Sequence, residues 1–136
     1  YRNAVAPADR VLIVTTPEVS AVRDADRIVG LIEADLKGPP SLIINRLSPE
    51  MVQRGQMLSM DDVVEILAID LIGIVPEDKE IIISSNRGKP VALDGKSAAG
   101  LAFRNIAGRI MGQDIAFMPL KGGGSVFDRL ARFIRR

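Results

Sequence analysis

Residues 10–16 read RVLIVTT, and this short apolar run, rich in β-branched side chains, decides the fold class. Two similar runs follow, SLIINRL at residues 41–47 and LIGIV at residues 71–75. The apolar residues in these runs are consecutive, whereas a strand with one solvated face alternates apolar and polar residues. Consecutive apolar residues are typical of parallel strands covered on both faces. We therefore predict three buried parallel strands.

Helical segments separate these strands. Residues 18–36 carry apolar side chains at helical spacing, namely Val22, Ala25, Val29, Ile32 and Leu36. Thr15 and Glu18 stand at capping-box separation, and Pro17 suits a first helical turn. Residues 59–69 predict a second helix, whose first amides the Ser59 hydroxyl and the Asp62 carboxylate can cap.

The order strand, helix, strand, helix, strand, joined by right-handed crossovers, predicts a doubly wound α/β fold with a parallel sheet. Residues 78–87 are ambiguous, because Ile81 to Ile83 favour a strand whereas Asp78 and Gly88 favour a short helix, which we prefer. Residues 97–111 predict a helix that ends at Gly112. Three strands are few for such a sheet, which usually has about five or six. Because the chain begins with Tyr1, we expect the missing strands in a preceding amino-terminal half.

The composition excludes several kinds of site. The 136 residues include no Cys and no His, which excludes disulfides, Cys/His zinc sites, catalytic thiols and His-based triads. No apolar run approaches the roughly 18 residues that span a bilayer. The few aromatic rings and the absence of a basic face outside the tail argue against a nucleic-acid partner.

Polar residues follow each predicted strand, where ligands bind in open α/β sheets. These positions are residues 15–18, Asn45 with Arg46, and residues 76–78. The Asn45 amide can donate and accept, which suits the edge of a base, and Pro76 can present an apolar surface to a ring. The alternative is that these are ordinary turn and cap residues.

Other polar patterns are weaker. PVALDGKS at residues 90–97 resembles a phosphate-binding loop, but Pro90 replaces its first glycine, so we interpret it as a turn before a helix. Asp24 and Asp26, two residues apart, project from different sides of their helix and cannot serve one site together. We predict no catalytic residue and no metal ligand in this chain.

The carboxyl-terminal residues form a separate unit. Residues 1–120 are predicted to be the globular part, residues 121–124 (KGGG) a flexible linker, and residues 125–136 an amphipathic helix. The helix has four arginines and one aspartate, a net charge of +3. Its apolar face comprises Val126, Phe127, Leu130, Ala131, Phe133 and Ile134, and its basic face includes Arg129, Arg132, Arg135 and Arg136.

Such a helix is typical of an interfacial membrane anchor, although it could dock on its own domain or in a partner's groove. One short anchor binds weakly, because each Arg near an anionic surface contributes about 1 kcal/mol and the helix must first be ordered. Two linked anchors bind far better through effective concentration. A dimerisation switch upstream of the tail is therefore expected.

Several segments together are similar to one family, and their order and spacing agree over essentially the whole chain. The first is VTTPEVSAVRDADR at residues 14–27, followed by RGQMLS at residues 54–59, EIL at residues 65–67, GIVPED at residues 73–78 and the arginine-rich tail. The chain resembles the carboxyl-terminal half of bacterial MinD septum site-determining ATPases. These belong to the deviant-Walker P-loop NTPases of the ParA/MinD type. Plasmid-partition and flagellar-placement ATPases fit residues 57–59 and the tail less well.

The resemblance implies a cytoplasmic ATPase, peripheral on the inner face of the cell membrane, that dimerises around ATP and Mg²⁺. It implies binding to anionic lipid, recruitment of the inhibitor MinC, and release by MinE. Asn45, Arg46, Pro76, Glu77 and Asp78 would line the adenine pocket. The helix with Asp24 and Asp26 would contribute to the dimer and partner surfaces.

The phosphate loop and the magnesium ligands of the family would precede Tyr1, so this chain alone should not hydrolyse ATP. Because half of the sheet would be missing, we also doubt that the chain folds stably alone. An alternative of another class is a non-catalytic α/β interaction module with a partner-binding helix.

Overall fold

A computed structural model describes residues 2–35 and 38–120. Three strands form one parallel sheet in the order β1 (Leu12–Thr15), β2 (Ser41–Leu47) and β3 (Asp70–Pro76). The helices are α1 (Arg2–Val5), α2 (Val19–Ala34), α3 (Pro49–Gln53), α4 (Met60–Leu67), α5 (Lys79–Asn86) and α6 (Ala98–Ile110), with a 3₁₀ helix at Val91–Leu93. The predicted α/β fold with a parallel sheet is confirmed, and the ambiguous segment is helical.

The predicted capping box at the start of α4 is present. The Asp62 N–H donates to the Ser59 hydroxyl at 3.1 Å, and the Ser59 N–H donates to the Asp62 carboxylate at 2.8 Å. Hydrogen bonds from the Ser59 hydroxyl and then from its backbone lower the pKa of Asp62. This stabilisation of α4 is present above the ordinary pKa of Asp62 and is lost as the pH falls.

The predicted capping box at Thr15 and Glu18 is wrong. Thr15 ends β1 and its hydroxyl donates to the Thr16 carbonyl at 3.2 Å, while Glu18 is an N-cap without a side-chain cap. Pro17 therefore precedes α2 instead of lying in its first turn. Thr15 is paired in β1 and therefore does not serve as the N-cap of α2.

Helices cover the sheet on both faces. On one face, α2 and α4 pack against β1 and β2 through fully buried side chains such as Ile32, Val63 and Ile44. On the other face, α6 packs against β3 through Ala99, Ala102 and Ile106. Close packing is possible there because a Cβ on Gly73 of β3 would collide with Ile106.

β1 departs from the prediction of burial on both faces. Its Ile13 and Thr15 are buried under α2, but Leu12 is 37% exposed and Val14 is 60% exposed. Within the described residues, β1 pairs only with β2, so its other edge is unpaired. The second face of β1 is exposed because α6 lies over β3, at the far side of the sheet.

Residues 113–120, which we name the strap, run back along α6 beside the edge of β3. Arg109 fixes the strap: its guanidinium donates to the carbonyls of Ile115 at 2.9 Å, Ala116 at 3.0 Å and Ile72 of β3 at 2.9 Å. The same guanidinium lies 4.1 Å from the centre of the Phe117 ring. Burial lowers the pKa of Arg109, but a guanidinium stays charged in proteins.

The position of Leu120 shows the direction in which the strap runs. Leu120 lines a small cavity together with Ile74 of β3 and Ala102 of α6. The strap thus runs towards the carboxyl end of the sheet, the end at which ligands bind in open α/β folds. The predicted linker and tail helix, residues 121–136, lie outside the described residues.

Candidate functional site

The end of β2 contains an irregularity that exposes polar groups. The pairing register with β3 shifts between Ile44 and Leu47, so Asn45 and Arg46 form a bulge. Arg46 has φ 58°, a left-handed conformation that is uncommon for residues other than glycine. Its N–H donates to the Asn45 side-chain oxygen at 3.0 Å. Within the described residues, the Asn45 side-chain NH₂ makes no hydrogen bond, so both of its donors are free for a ligand.

The end of β3 lies directly beside this bulge. Pro76 pairs with Leu47, and the Glu77 N–H donates to the Leu47 carbonyl at 2.9 Å. The Arg46 guanidinium and the Glu77 carboxylate are 3.6 Å apart, and both side chains are more than half exposed. The structure therefore brings Asn45 and Arg46 together with Pro76 and Glu77, as the sequence predicts.

Asp78 makes a contact that the sequence did not indicate. One carboxylate oxygen accepts the Glu80 N–H at 2.9 Å and caps α5, and the other accepts the Ala99 N–H at 3.1 Å at the start of α6. Both oxygens are thus already engaged by backbone amides. Asp78 holds the loop after β3 against α6, and the 21-residue separation from Ala99 hid this contact in the sequence.

The end of β1 is covered by its own chain. The Leu58 N–H donates to the Pro17 carbonyl at 3.1 Å, and the Ser48 N–H contacts the Met57 sulfur at 3.3 Å. The RGQMLS segment therefore packs against the loop after β1, where Thr15 and Pro17 are buried and Glu18 is exposed.

Comparison with known proteins shows the family to which the chain belongs. The septum site-determining protein MinD of Synechocystis sp. is 60% identical over 134 residues, which are 97% of this chain and 50% of that protein. The chain belongs to the MinD family. It spans about half the length of the curated MinD relatives that it matches. No protein-family model matches the chain.

Solved MinD structures share the fold. The MinD cell division protein of Aquifex aeolicus superposes with a TM-score of 0.83 at 46% identity, covering 88% of this chain and 50% of that one. The MinC:MinD cell division protein complex of the same organism gives 0.82 at 48% identity, covering 89% and 49%. MinD of Pyrococcus horikoshii, complexed with Mg-ADP, gives 0.65 at 20% identity and bears on the fold alone.

The predicted partner surface lies on α2. Asp24 and Asp26 are both exposed there, and the Asp24 carboxylate is 3.7 Å from the Arg27 guanidinium. Asp26 lies elsewhere on the helix surface, as the spacing predicts. The role of both residues stays a prediction.

The described residues show neither a metal-binding cluster nor a membrane-spanning helix. Residues 2–35 and 38–120 contain no cluster of three acidic side chains placed to hold a metal ion. In the same part of the chain, every helix is too short or too polar to cross a membrane.

Proposed function

We propose that this chain is part of an ATP-dependent switch that associates with membrane and positions the cell-division septum. Its membership of the MinD family supports this proposal, and the site geometry agrees with it. The observation that carries the nucleotide part is the adjacency of Asn45 and Pro76 at the ends of neighbouring strands.

The strand ends supply adenine recognition in this proposal. The free Asn45 NH₂ donates to an acceptor on the base edge, and the half-buried Pro76 contacts one face of the ring. Arg46 and Glu77 form a rim around the base, while Asp78 holds the loop in place. This chain contains no phosphate-binding loop motif, so the groups that bind the ATP phosphates and Mg²⁺ belong to the rest of the protein.

The tail supplies membrane attachment in this proposal. ATP-dependent dimerisation places two amphipathic helices together, and their paired binding to anionic lipid exceeds that of one helix. The partners are MinC, a second copy of the protein and MinE, with Asp24 and Asp26 on the contact surface. The Aquifex complex supports the MinC partnership, because it is a relative bound to MinC.

Replacing Asn45 by alanine tests the nucleotide site in the complete protein. We expect Asn45→Ala to weaken ATP binding about tenfold, because the base edge loses its hydrogen bonds. Isothermal titration with a slowly hydrolysed ATP analogue measures the affinity. Asn3→Ala, an exposed change on α1, is the control and should leave the affinity unchanged. Equal affinity for both variants would contradict the assigned role of Asn45.

A further inference from the structure

The outer face of α5 is unusual for a solvent-facing helix. Ile82 is 66% exposed and Ile83 is 36% exposed, and the exposed side chains of Lys79 and Arg87 flank them. At 100° per residue these four side chains share an arc of about 140°. Asp78, at the start of the helix, has both carboxylate oxygens turned to backbone amides. The outer face therefore combines aliphatic and cationic groups, with Asn86 inside the same arc and the Glu80 carboxylate about 20° beyond Arg87.

The residues after α5 extend this surface. The Lys89 N–H donates to the Ser84 carbonyl at 3.0 Å, which holds the turn against α5, and the Lys89 side chain is exposed. Leu93 in the 3₁₀ helix is 80% exposed. We name Lys79, Ile82, Ile83, Arg87, Lys89 and Leu93 the α5 surface. Exposed aliphatics beside cations are the pattern of groups that insert at an anionic lipid interface.

Another exposed aliphatic side chain lies in a different electrostatic setting. Ile66 on α4 is 48% exposed, but exposed carboxylates on the same helix accompany it, at Asp61, Asp62 and Glu65. These carboxylates would repel an anionic lipid surface. The α5 surface therefore differs from the surface around Ile66, because cations accompany its exposed aliphatic side chains and carboxylates accompany Ile66.

The strap places Leu120 near the start of α5. The strap brings Leu120 beside Ala102, about one helical turn from Ala99, where Asp78 ties α5 to α6. Leu120 therefore lies at the same end of the fold as the start of α5. The +3 charge of residues 125–136 disfavours the tail itself as the occupant of this cationic surface.

We propose that the α5 surface is a second contact with anionic lipid that binds together with the tail. This inference rests on the proposed membrane function and deepens it. The tail supplies the principal attachment. The α5 surface adds a fixed contact on the folded body, which sets the orientation of the protein on the membrane.

Two matched double variants of the complete protein test the inference. Ile82→Ser with Arg87→Gln alters the α5 surface. Ile66→Ser on α4 with Arg54→Gln at the C-cap of α3, where Arg54 forms an exposed ion pair with Glu50, makes the same substitutions elsewhere. With ATP present, sedimentation with vesicles of equal parts phosphatidylglycerol and phosphatidylcholine gives the apparent affinity. We expect the α5 variant to bind about fivefold more weakly than wild type and the control to bind within twofold.

The outcomes separate the two proposals. If wild type and both variants bind vesicles equally well, the α5 surface is not a lipid contact, although the tail still is. If wild type itself fails to bind, the proposed membrane function fails first. If the α5 variant keeps its vesicle affinity but loses affinity for a DNA fragment, the surface binds nucleic acid and the lipid assignment is overturned. Unchanged thermal unfolding of both variants shows that the effect is local.

Discussion

Replacing Asp78 by alanine is expected to destabilise the complete protein by about 2 to 4 kcal/mol. The change removes the cap of α5 and leaves the Ala99 N–H of α6 without its acceptor. Hydrogen bonds to a charged acceptor each contribute about 1.5 to 3 kcal/mol, and the site is only partly buried, which lowers the sum. Urea unfolding followed by circular dichroism measures the change in the free energy of unfolding.

Glu77→Ala is the matched control for Asp78→Ala. Glu77 is the neighbouring carboxylate, but its ion pair with Arg46 is long and more than half exposed. Such pairs contribute about 0 to 1 kcal/mol, so the variant should unfold close to wild type. Asp78→Asn should resemble Asp78→Ala, because the amide keeps one acceptor but opposes the second N–H with a donor. Equal stability of the Asp78 and Glu77 alanine variants would refute the bridging role.

Replacing Arg109 by methionine is expected to cost about 2 to 4 kcal/mol and to release the strap. Methionine retains much of the apolar stem but leaves three carbonyls without their donor, at Ile72, Ile115 and Ala116. The contact between the cation and the Phe117 ring is lost as well. Hydrogen exchange of the strap amides and denaturant unfolding together measure the effect.

Arg104→Met is the control for Arg109→Met. Arg104 also donates to two carbonyls, those of Ala92 and Asp94 at 2.8 Å, but these bonds are exposed and water replaces them readily. We expect a loss below about 1 kcal/mol and no change in exchange of the strap. If the two methionine variants behave alike, the strap does not depend on Arg109.

The fold was predictable where local patterns and tertiary packing agree. The apolar runs gave all three strands because buried parallel strands leave a continuous signature. Ser59 and Asp62 marked the start of α4 because a capping box involves only four consecutive residues. Thr15 and Glu18 have the same spacing, but Thr15 is the last residue of β1 and pairs with β2. Strand pairing therefore prevailed over the local capping pattern.

The site was only partly predictable. The ends of parallel strands identified Asn45, Arg46, Pro76 and Glu77 as neighbours, because topology alone brings these ends to one edge. The contacts of Asp78 with Ala99 and of Arg109 with Ile72 join residues distant in sequence, and no spacing rule reports them. The burial of β1 was overestimated, since α6 covers β3 at the far side of the sheet and leaves the second face of β1 exposed.

In the proposed switch, nucleotide binding near the strand ends controls membrane attachment through the last residues of the chain. The most direct measurement is sedimentation of the complete protein with anionic vesicles in the presence of ATP or ADP, for wild type and Phe127→Glu. We predict that wild type binds vesicles with ATP and is released with ADP, and that Phe127→Glu stays in solution with either nucleotide. Vesicle binding that ignores both the nucleotide and the substitution would contradict the account.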